Sequence, residues 1–264
     1  MNKTGEEPIL SLPERHNRIL ALLQQFGSIS VAQLAERFKV SEVTIRKDLS
    51  YLEQQKKLYR THGSAILISP YISDRHVNEK EKRNVAEKRA IGAFAASLIA
   101  QDDSIIIASG TTVTFLAREI NPAGHLTAIT ASVPVTQILS QCPDVDVIQL
   151  GGITRSSSVS VVGPFAEQML RSFNCSKLFI GVDGIDTEFG LTTTNMLEAS
   201  LNGAMIDAAQ KVIVLADSSK FGRRGFSKIC DLESVDRIIT DSGVQSFYLD
   251  RLRERGIEVT VVDV

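Results

Sequence analysis

Hydrophobic positions along the chain follow two rhythms. Between residues 13 and 55 they recur at three- and four-residue spacing, the mark of amphipathic helices. From residue 104 onward, short unbroken Ile/Val runs alternate with amphipathic stretches. In the first region Pro13 to Phe26 places Ile19, Leu22, Leu23 and Phe26 on one helical face, and Gly27 ends it. Ser30 is positioned to cap a second helix, Val31 to Phe38, with Leu34 and Phe38 one turn apart. Lys39 and Val40 make a short turn. Ser41 then caps a third helix from Glu42 to about Gln55. At ~100° per residue, Ile45, Leu49 and Leu52 fall within about 60° of each other and should pack inward. Val43, Arg46, Lys47 and Ser50 project the other way, with Thr44 on the flank. The segment from Lys56 to Ile68 predicts two short strands about a Gly-containing turn. Two short helices, a tight turn and a wing predict a winged helix-turn-helix over residues 1–68, with the motif at about 29–48. The second helix of such a motif presents its N-terminal residues to the major groove of DNA.

The second rhythm predicts an α/β unit over residues 69–264, with 69–78 as linker. A charged and then Ala-rich helix is expected from Glu79 to Ala100. Strands are expected at Ser104–Ala108, Leu126–Thr130, Val145–Leu150, Lys177–Val182, Lys211–Ala216, Arg237–Thr240 and Glu258–Val262. Helices are expected at Thr112–Ile120, Val133–Gln141, Pro164–Phe173, Met196–Ala209 and Val244–Arg255. Runs without alternation are buried on both faces, so the sheet should be mainly parallel with helices on each side.

Ligands of such sheets sit beyond the carboxyl ends of the strands. The segments that follow the strands are chemically alike. Ser109-Gly110-Thr111-Thr112 leads into a helix, where small residues, hydroxyls and free amides make an anion cradle. Thr130-Ala131-Ser132 follows the second strand. Gly151-Gly152 follows the third, then Thr154, Arg155, Ser156, Ser157, Ser158 and Ser160. Asp183-Gly184-Ile185-Asp186 and Gly190-Leu191-Thr192-Thr193 follow the fourth, and Asp217-Ser218-Ser219-Lys220 the fifth. Any one of these could be an ordinary capped turn. Five in succession predict a small, polar, anionic ligand, with phosphate on Ser109 to Thr112, hydroxyls met by Asp183, Asp186 and Glu198, and charge offset by Lys220.

Charge sharpens the division. Residues 1–70 hold ten Lys and Arg against seven Asp and Glu, and the remainder holds 19 against 24, within a chain of net charge −2. A mildly basic head on an acidic body suits a compact DNA reader joined to a unit that does not touch DNA. Cys142, Cys175 and Cys230 are far apart, form no CxxC, and read as free thiols of a cytoplasmic protein. No apolar run approaches the ~20 residues of a membrane span, and the first ten residues carry no signal core.

The head also resembles the N-terminal domain of the DeoR family of bacterial transcription regulators, through Val40-Ser41, Thr44-Ile45-Arg46-Lys47-Asp48-Leu49, Leu52-Glu53 and His62-Gly63-Ser64-Ala65. Lys47 stands where Arg is commoner in that family, and Ser64 where a second Gly is usual. Through SGTT, TAS, LGG, GVDGID, FGLTT and ADSSKFG the body is similar to the family's sensor domain. That domain is related in fold to ribose-5-phosphate isomerase and glucosamine-6-phosphate deaminase. Ala108 departs from a common Asp and Ala131 from a common Asn. The resemblance implies a homo-oligomeric repressor of a carbohydrate operon, modulated by a phosphorylated sugar, with no catalysis and no cofactor or metal. Ser41, Val43, Thr44, Arg46, Lys47, Ser50, Arg60 and His62 would meet double-stranded operator DNA. Ser109, Gly110, Thr111, Thr112, Thr130, Ser132, Gly151, Gly152, Asp183, Asp186, Thr192, Thr193, Glu198 and Lys220 would meet the effector. Dimers or tetramers are expected, since two identical heads suit symmetric half-sites. Two other readings remain open at this point: a sugar-phosphate isomerase or deaminase with an added head, and a DNA-binding protein whose body only oligomerises.

Overall fold

The computed structural model describes residues 11–26, 28–55, 57–60, 64–67 and 76–264. The chain divides into two compact units, Met1–Ser69 and Pro70–Val264.

In the first unit, helix α1 (Leu12–Phe26) is followed by strand β1 (Ser28–Ser30), α2 (Val31–Phe38), α3 (Glu42–Gln54), β2 (Leu58–Arg60) and β3 (Ser64–Leu67). Local chemistry sets the helix boundaries. Ser30 caps α2 through the Gln33 amide, and the Gln33 side chain returns the bond to the Ser30 amide at 3.0 Å. Lys39 ends α2 in the left-handed region, φ 53°, with its amide on the Ala35 and Glu36 carbonyls. Ser41 Oγ accepts from the Thr44 amide at 3.2 Å and starts α3. Ile19, Leu22, Leu23, Leu34, Ile45, Leu49, Leu52 and Leu58 form one buried cluster drawn from the expected apolar stripes, Phe38 packs against it partly buried, and the Phe26 side chain lies outside the described residues. The sheet holds a strand that periodicity does not reveal. The three-residue β1 pairs antiparallel with β3, giving the order β1-β3-β2. Residues 61–63, which include His62 and the expected turn, and 68–75 lie outside the described residues.

The second unit begins with α4 (Val77–Glu81) and α5 (Val85–Ala96), where a continuous helix from Glu79 was expected. The break has a physical cause. Asn84 takes φ 50°, a conformation Asn tolerates better than most residues, and its Nδ2 donates to Asp217 Oδ1 at 2.8 Å. Buried Lys88 donates to the Lys80 and Arg83 carbonyls on the N-terminal side of the break.

Then follow β4 (Ser104–Ile107), α6 (Thr111–Glu119), β5 (Leu126–Thr130), α7 (Val133–Leu139), β6 (Val145–Gln149), β7 (Ile153–Arg155), β8 (Ser160–Val162), α8 (Pro164–Leu170), β9 (Lys177–Gly181), β10 (Gly184–Asp186), β11 (Gly190–Thr193), α9 (Met196–Asp207), β12 (Val212–Leu215), β13 (Ser227–Cys230), β14 (Arg237–Asp241), α10 (Ser246–Glu254) and β15 (Glu258–Val262). A 3-10 turn at Ser218–Lys220 follows β12.

Among the described residues the main sheet has seven strands in the order β15-β14-β12-β9-β4-β5-β6, all parallel. Ile105, Ile107, Ala128, Phe179, Ile213, Leu215 and Ile239 bury one face of it against α5, α6 and α7. Gly92 lets α5 approach α6, since a Cβ there would stand 2.7 Å from the Leu116 amide nitrogen. The chain runs outward from β4 to β6, then returns to β9 on the other side of β4. The order therefore reverses between β4 and β9, and the segments after these two strands flank a crevice.

The segments expected as plain loops contain two small antiparallel sheets, β7-β8 and β10-β11-β13. Their three- and four-residue strands are rich in Gly, Ser and Thr, too short and too polar to stand out from turns in the sequence.

Candidate functional site

The exposed face of the head lies on α3. Val43 is 60% exposed, and Arg46 and Lys47 are open to solvent. Arg46 pairs with Glu42 one turn earlier at 2.8 Å, an exposed i,i+4 pair that yields readily to a stronger anion. Ser41 and Thr44 hydroxyls share a 2.9 Å bond at the helix start. Ser50 Oγ donates to the Arg46 carbonyl at 2.8 Å and receives Arg60 Nη1 from β2. Arg60 also donates its amide to Glu53 Oε1 at 3.0 Å, which ties the wing strand to α3. Seven of the eight residues expected to face DNA thus fall on or beside one helix face, and His62 lies outside the described residues.

The other face of α3 holds a residue that periodicity treats as one more polar position. Asp48 is buried. Arg15 grips it through Nε at 2.5 Å and Nη2 at 3.0 Å, and His16 Nε2 lies 3.2 Å from Oδ1. The bond to Asp48 raises the Arg15 pKa above its ordinary value. His16 in turn stacks on Tyr51, ring centroids 5.1 Å apart. This cluster sets the angle between α1 and α3, and so the presentation of the exposed face.

In the body a cavity opens at the reversal of strand order. Its wall includes Ser109, Gly110, Thr111 and Thr112 after β4, Asp183 after β9, Thr193 from β11, Glu198 and Asn202 from α9, and Lys220 from the 3-10 turn. Lys80 from α4, Arg155 from β7, and Ser157 and Ser158 complete it. Gly110 has φ 134° and open space about its Cα, so a ligand can approach the backbone there. Thr114 closes the first turn of α6 by donating twice to the Gly110 carbonyl, leaving the leading amides of the helix without intrahelical acceptors.

The cavity is cross-braced. Lys80 Nζ meets Asp183 Oδ1 at 2.7 Å, and Arg155 Nη1 meets Glu198 Oε1 at 2.9 Å. Thr193 Oγ1 stands 3.2 Å from both Asp183 Oδ2 and Glu198 Oε2 and joins the two pairs. Burial alone would push the Asp183 carboxyl up. Lys80 and Lys220 outweigh it and hold its pKa below the usual carboxylate range. Three cations line the wall against two carboxylates. With a helix N-terminus beside them, the balance favours an anion.

Of the expected effector residues, Ser109, Gly110, Thr111, Thr112, Asp183, Thr193, Glu198 and Lys220 meet on this wall. Six do not, and each has another task. Thr130 donates to the Ile107 carbonyl at 2.6 Å and accepts the Ser132 amide, both within the sheet edge. Ser132 caps α7 through the Val135 amide. Gly151 and Gly152 lead into β7, where Gly152 stands so close to the Val162 carbonyl that a Cβ would come within 2.8 Å. Asp186 is fully buried, bound by Arg224 at 2.7 and 3.0 Å and by the Glu188 and Phe189 amides. Thr192 donates to the Gly184 carbonyl and accepts the Gly225 amide at 2.8 Å. Lys80, Arg155, Ser157, Ser158 and Asn202 line the cavity without having been expected as effector residues, although Arg155, Ser157 and Ser158 lie in the loop singled out after the third strand. Lys80 falls in what reads as a surface helix, and Asn202 lies among the apolar positions of α9.

A helix-turn-helix unit with a cationic outer face, followed by a parallel-sheet unit with a polar crevice, defines a DNA-binding regulator. Residues 15–71 match the DeoR-like helix-turn-helix domain and residues 83–242 the DeoR C-terminal sensor domain. The chain is 39% identical to an uncharacterised HTH-type transcriptional regulator of Bacillus subtilis, YulB, over 94% of this chain and 96% of that one. It is 37% identical to a putative aga operon transcriptional repressor of Escherichia coli O157:H7, over 98% and 97%. Against the lactose phosphotransferase system repressor of Streptococcus mutans identity is 36%, over 86% and 91%. The chain belongs to the DeoR family of transcriptional regulators. Among the described residues no helix is long and apolar enough to cross a membrane.

Proposed function

We propose that this regulator is a cytoplasmic repressor of a carbohydrate-utilisation operon, relieved when a phosphorylated sugar fills the body cavity. The observation that carries the reading is the composition of that cavity. The leading amides of α6, the Ser109, Thr111 and Thr112 hydroxyls and Lys220 suit a phosphate, while Asp183, Glu198 and Asn202 suit sugar hydroxyls. The relatives named for the aga operon and for a lactose phosphotransferase system support the same class of ligand and the repressing sign. On the head, Val43, Thr44, Arg46 and Lys47 read base edges or phosphates, with Ser41, Ser50 and Arg60 holding the helix and wing in place. Two heads of a homo-oligomer would occupy symmetric half-sites.

The cavity carboxylates act as ligands rather than as proton shuttles in this reading. Each already holds a cation and shares Thr193, so both are engaged as ion-pair and hydrogen-bond partners. Thermal unfolding against glucose 6-phosphate, fructose 6-phosphate, galactose 6-phosphate and ribose 5-phosphate, each beside its unphosphorylated sugar, tests the proposal. At least one phosphorylated sugar should raise the transition temperature of the body and be recovered unchanged. Stabilisation by none of a broad panel would favour a body that only oligomerises, and sustained turnover would favour an enzyme.

A further inference from the structure

The short helix α4 has too few residues to be stable alone, because five residues hardly repay the cost of nucleating a helix. Its position comes from contacts with the cavity. At its start the Val77 amide donates to the Ser157 carbonyl at 2.7 Å, and Ser157 lines the cavity. At its middle Lys80 reaches Asp183. At its end Glu81 pairs with Arg118 of α6 at 2.6 Å, an exposed contact of small weight. Beyond it the chain turns at Asn84, pinned to Asp217, and Lys88 holds the carbonyls of the turn. One end of α4 is therefore a fixed hinge. The other end is the first described element after the DNA-reading unit in the sequence.

We infer that α4 is a strap across the cavity, latched by Lys80 on Asp183, and that a sugar phosphate entering the cavity opens the latch. This rests on the cavity reading above and adds the route by which occupancy is reported. Both oxygens of Asp183 are in use, Oδ1 by Lys80 and Oδ2 by the Thr193 and Thr194 hydroxyls at 3.2 and 3.4 Å. A ligand hydroxyl that binds Asp183 finds three of its four lone-pair positions taken and competes with these donors. A phosphate near Thr111 and Lys220 competes for the Lys80 ammonium at the same time. Lys80 is the partner that yields, because its side chain is 26% exposed against 10% for Asp183 and it stands on the less stable element. A ligand can shift the strap only by favouring one of its two positions, and exchange of the Lys80–Asp183 bond for ligand bonds supplies that preference.

Hydrogen–deuterium exchange of the full-length protein tests this with and without ligand. In the unliganded state Lys80→Met should speed exchange across residues 77–84 about tenfold, ~1.4 kcal/mol of opening, and leave residues 104–120 unchanged. Ribose 5-phosphate, or the best sugar phosphate of the thermal panel, should slow exchange at 109–114 and 193–198 while speeding it at 77–84. Inorganic phosphate should act more weakly in both places. Equal exchange in the parent and Lys80→Met proteins without ligand would overturn the latch. So would a sugar phosphate that protects 109–114 and leaves 77–84 unchanged or slowed. Absence of protection at 109–114 with every sugar phosphate would count against the cavity reading instead, and the unliganded comparison would still decide the latch.

Discussion

The head and the body handle charge in opposite ways. On the outer face of α3, Arg46 and Lys47 are exposed, and Arg46 is held by a solvent-facing pair with Glu42. In the body cavity, Lys80 and Arg155 are already paired with the most buried carboxylates of the wall. An exposed cation is ready for any phosphate and gains most at low salt. A braced cation shares its donors between a partner and a ligand, and in the latch proposed above that competition is what converts binding into movement. The head is built for contact and the body for exchange.

The largest loss is expected at Asp48, a head carboxylate that is buried and paired as the body pairs its own. Asp48→Ala leaves Arg15 and His16 buried without their shared acceptor and should cost about 3–5 kcal/mol. Calorimetry should then show a head transition lost or strongly lowered beside an unchanged body transition, and DNA binding should vanish. Thr111→Val removes one hydroxyl from the cavity and should weaken sugar-phosphate binding by about 1.5–3 kcal/mol while leaving DNA affinity intact. Isothermal titration and a gel shift on the same sample read both. Lys47→Ala should weaken operator binding by about 1–3 kcal/mol if the side chain reads a base, or reduce the salt slope by about 1 if it meets only phosphate. Ligand binding by the body should not change.

The smallest effect concerns the buried cation Lys88. Burial lowers its pKa from 10.5 to about 8, with Asp217 opposing the shift. The unfolded chain therefore binds more protons than the folded one between pH 8 and 10.5, and the contribution of Lys88 to stability rises with pH across that window. The transition temperature of the parent protein relative to Lys88→Met should increase from pH 8 to 10, by an amount on the order of 1 kcal/mol in stability. A flat difference would place Lys88 in a wetter setting than its contacts imply.

The same contrast explains what could be read from the chain. The recognition face is carried by one regular helix, so a 100° rotation per residue separates Val43, Arg46, Lys47 and Ser50 from Ile45, Leu49 and Leu52 without further knowledge. The inner parallel strands β4, β9, β12 and β14 were equally plain, because their burial leaves apolar runs with little alternation. The cavity wall is assembled from α4, β7, β11, α6, α9 and four connecting segments, and no single period connects them. Residues at the ends of β4 and β9 could be found because such sheets place ligands there. Lys80 could not, since its role depends on a helix break set by Asn84 and Lys88. Asp186, Thr192 and Thr130 shared the cavity's chemistry in sequence. In the fold, buried backbone groups needed those side chains first.

Occupancy of the cavity should govern how tightly the head holds DNA. Fluorescence anisotropy of a labelled fragment of the protein's own promoter, titrated with protein at fixed salt, measures it directly. Adding the stabilising sugar phosphate should weaken binding by at least about tenfold, ~1.4 kcal/mol of coupling, and the Thr111→Val protein should show no such change. An affinity that stays constant while calorimetry shows the sugar phosphate bound would contradict the account.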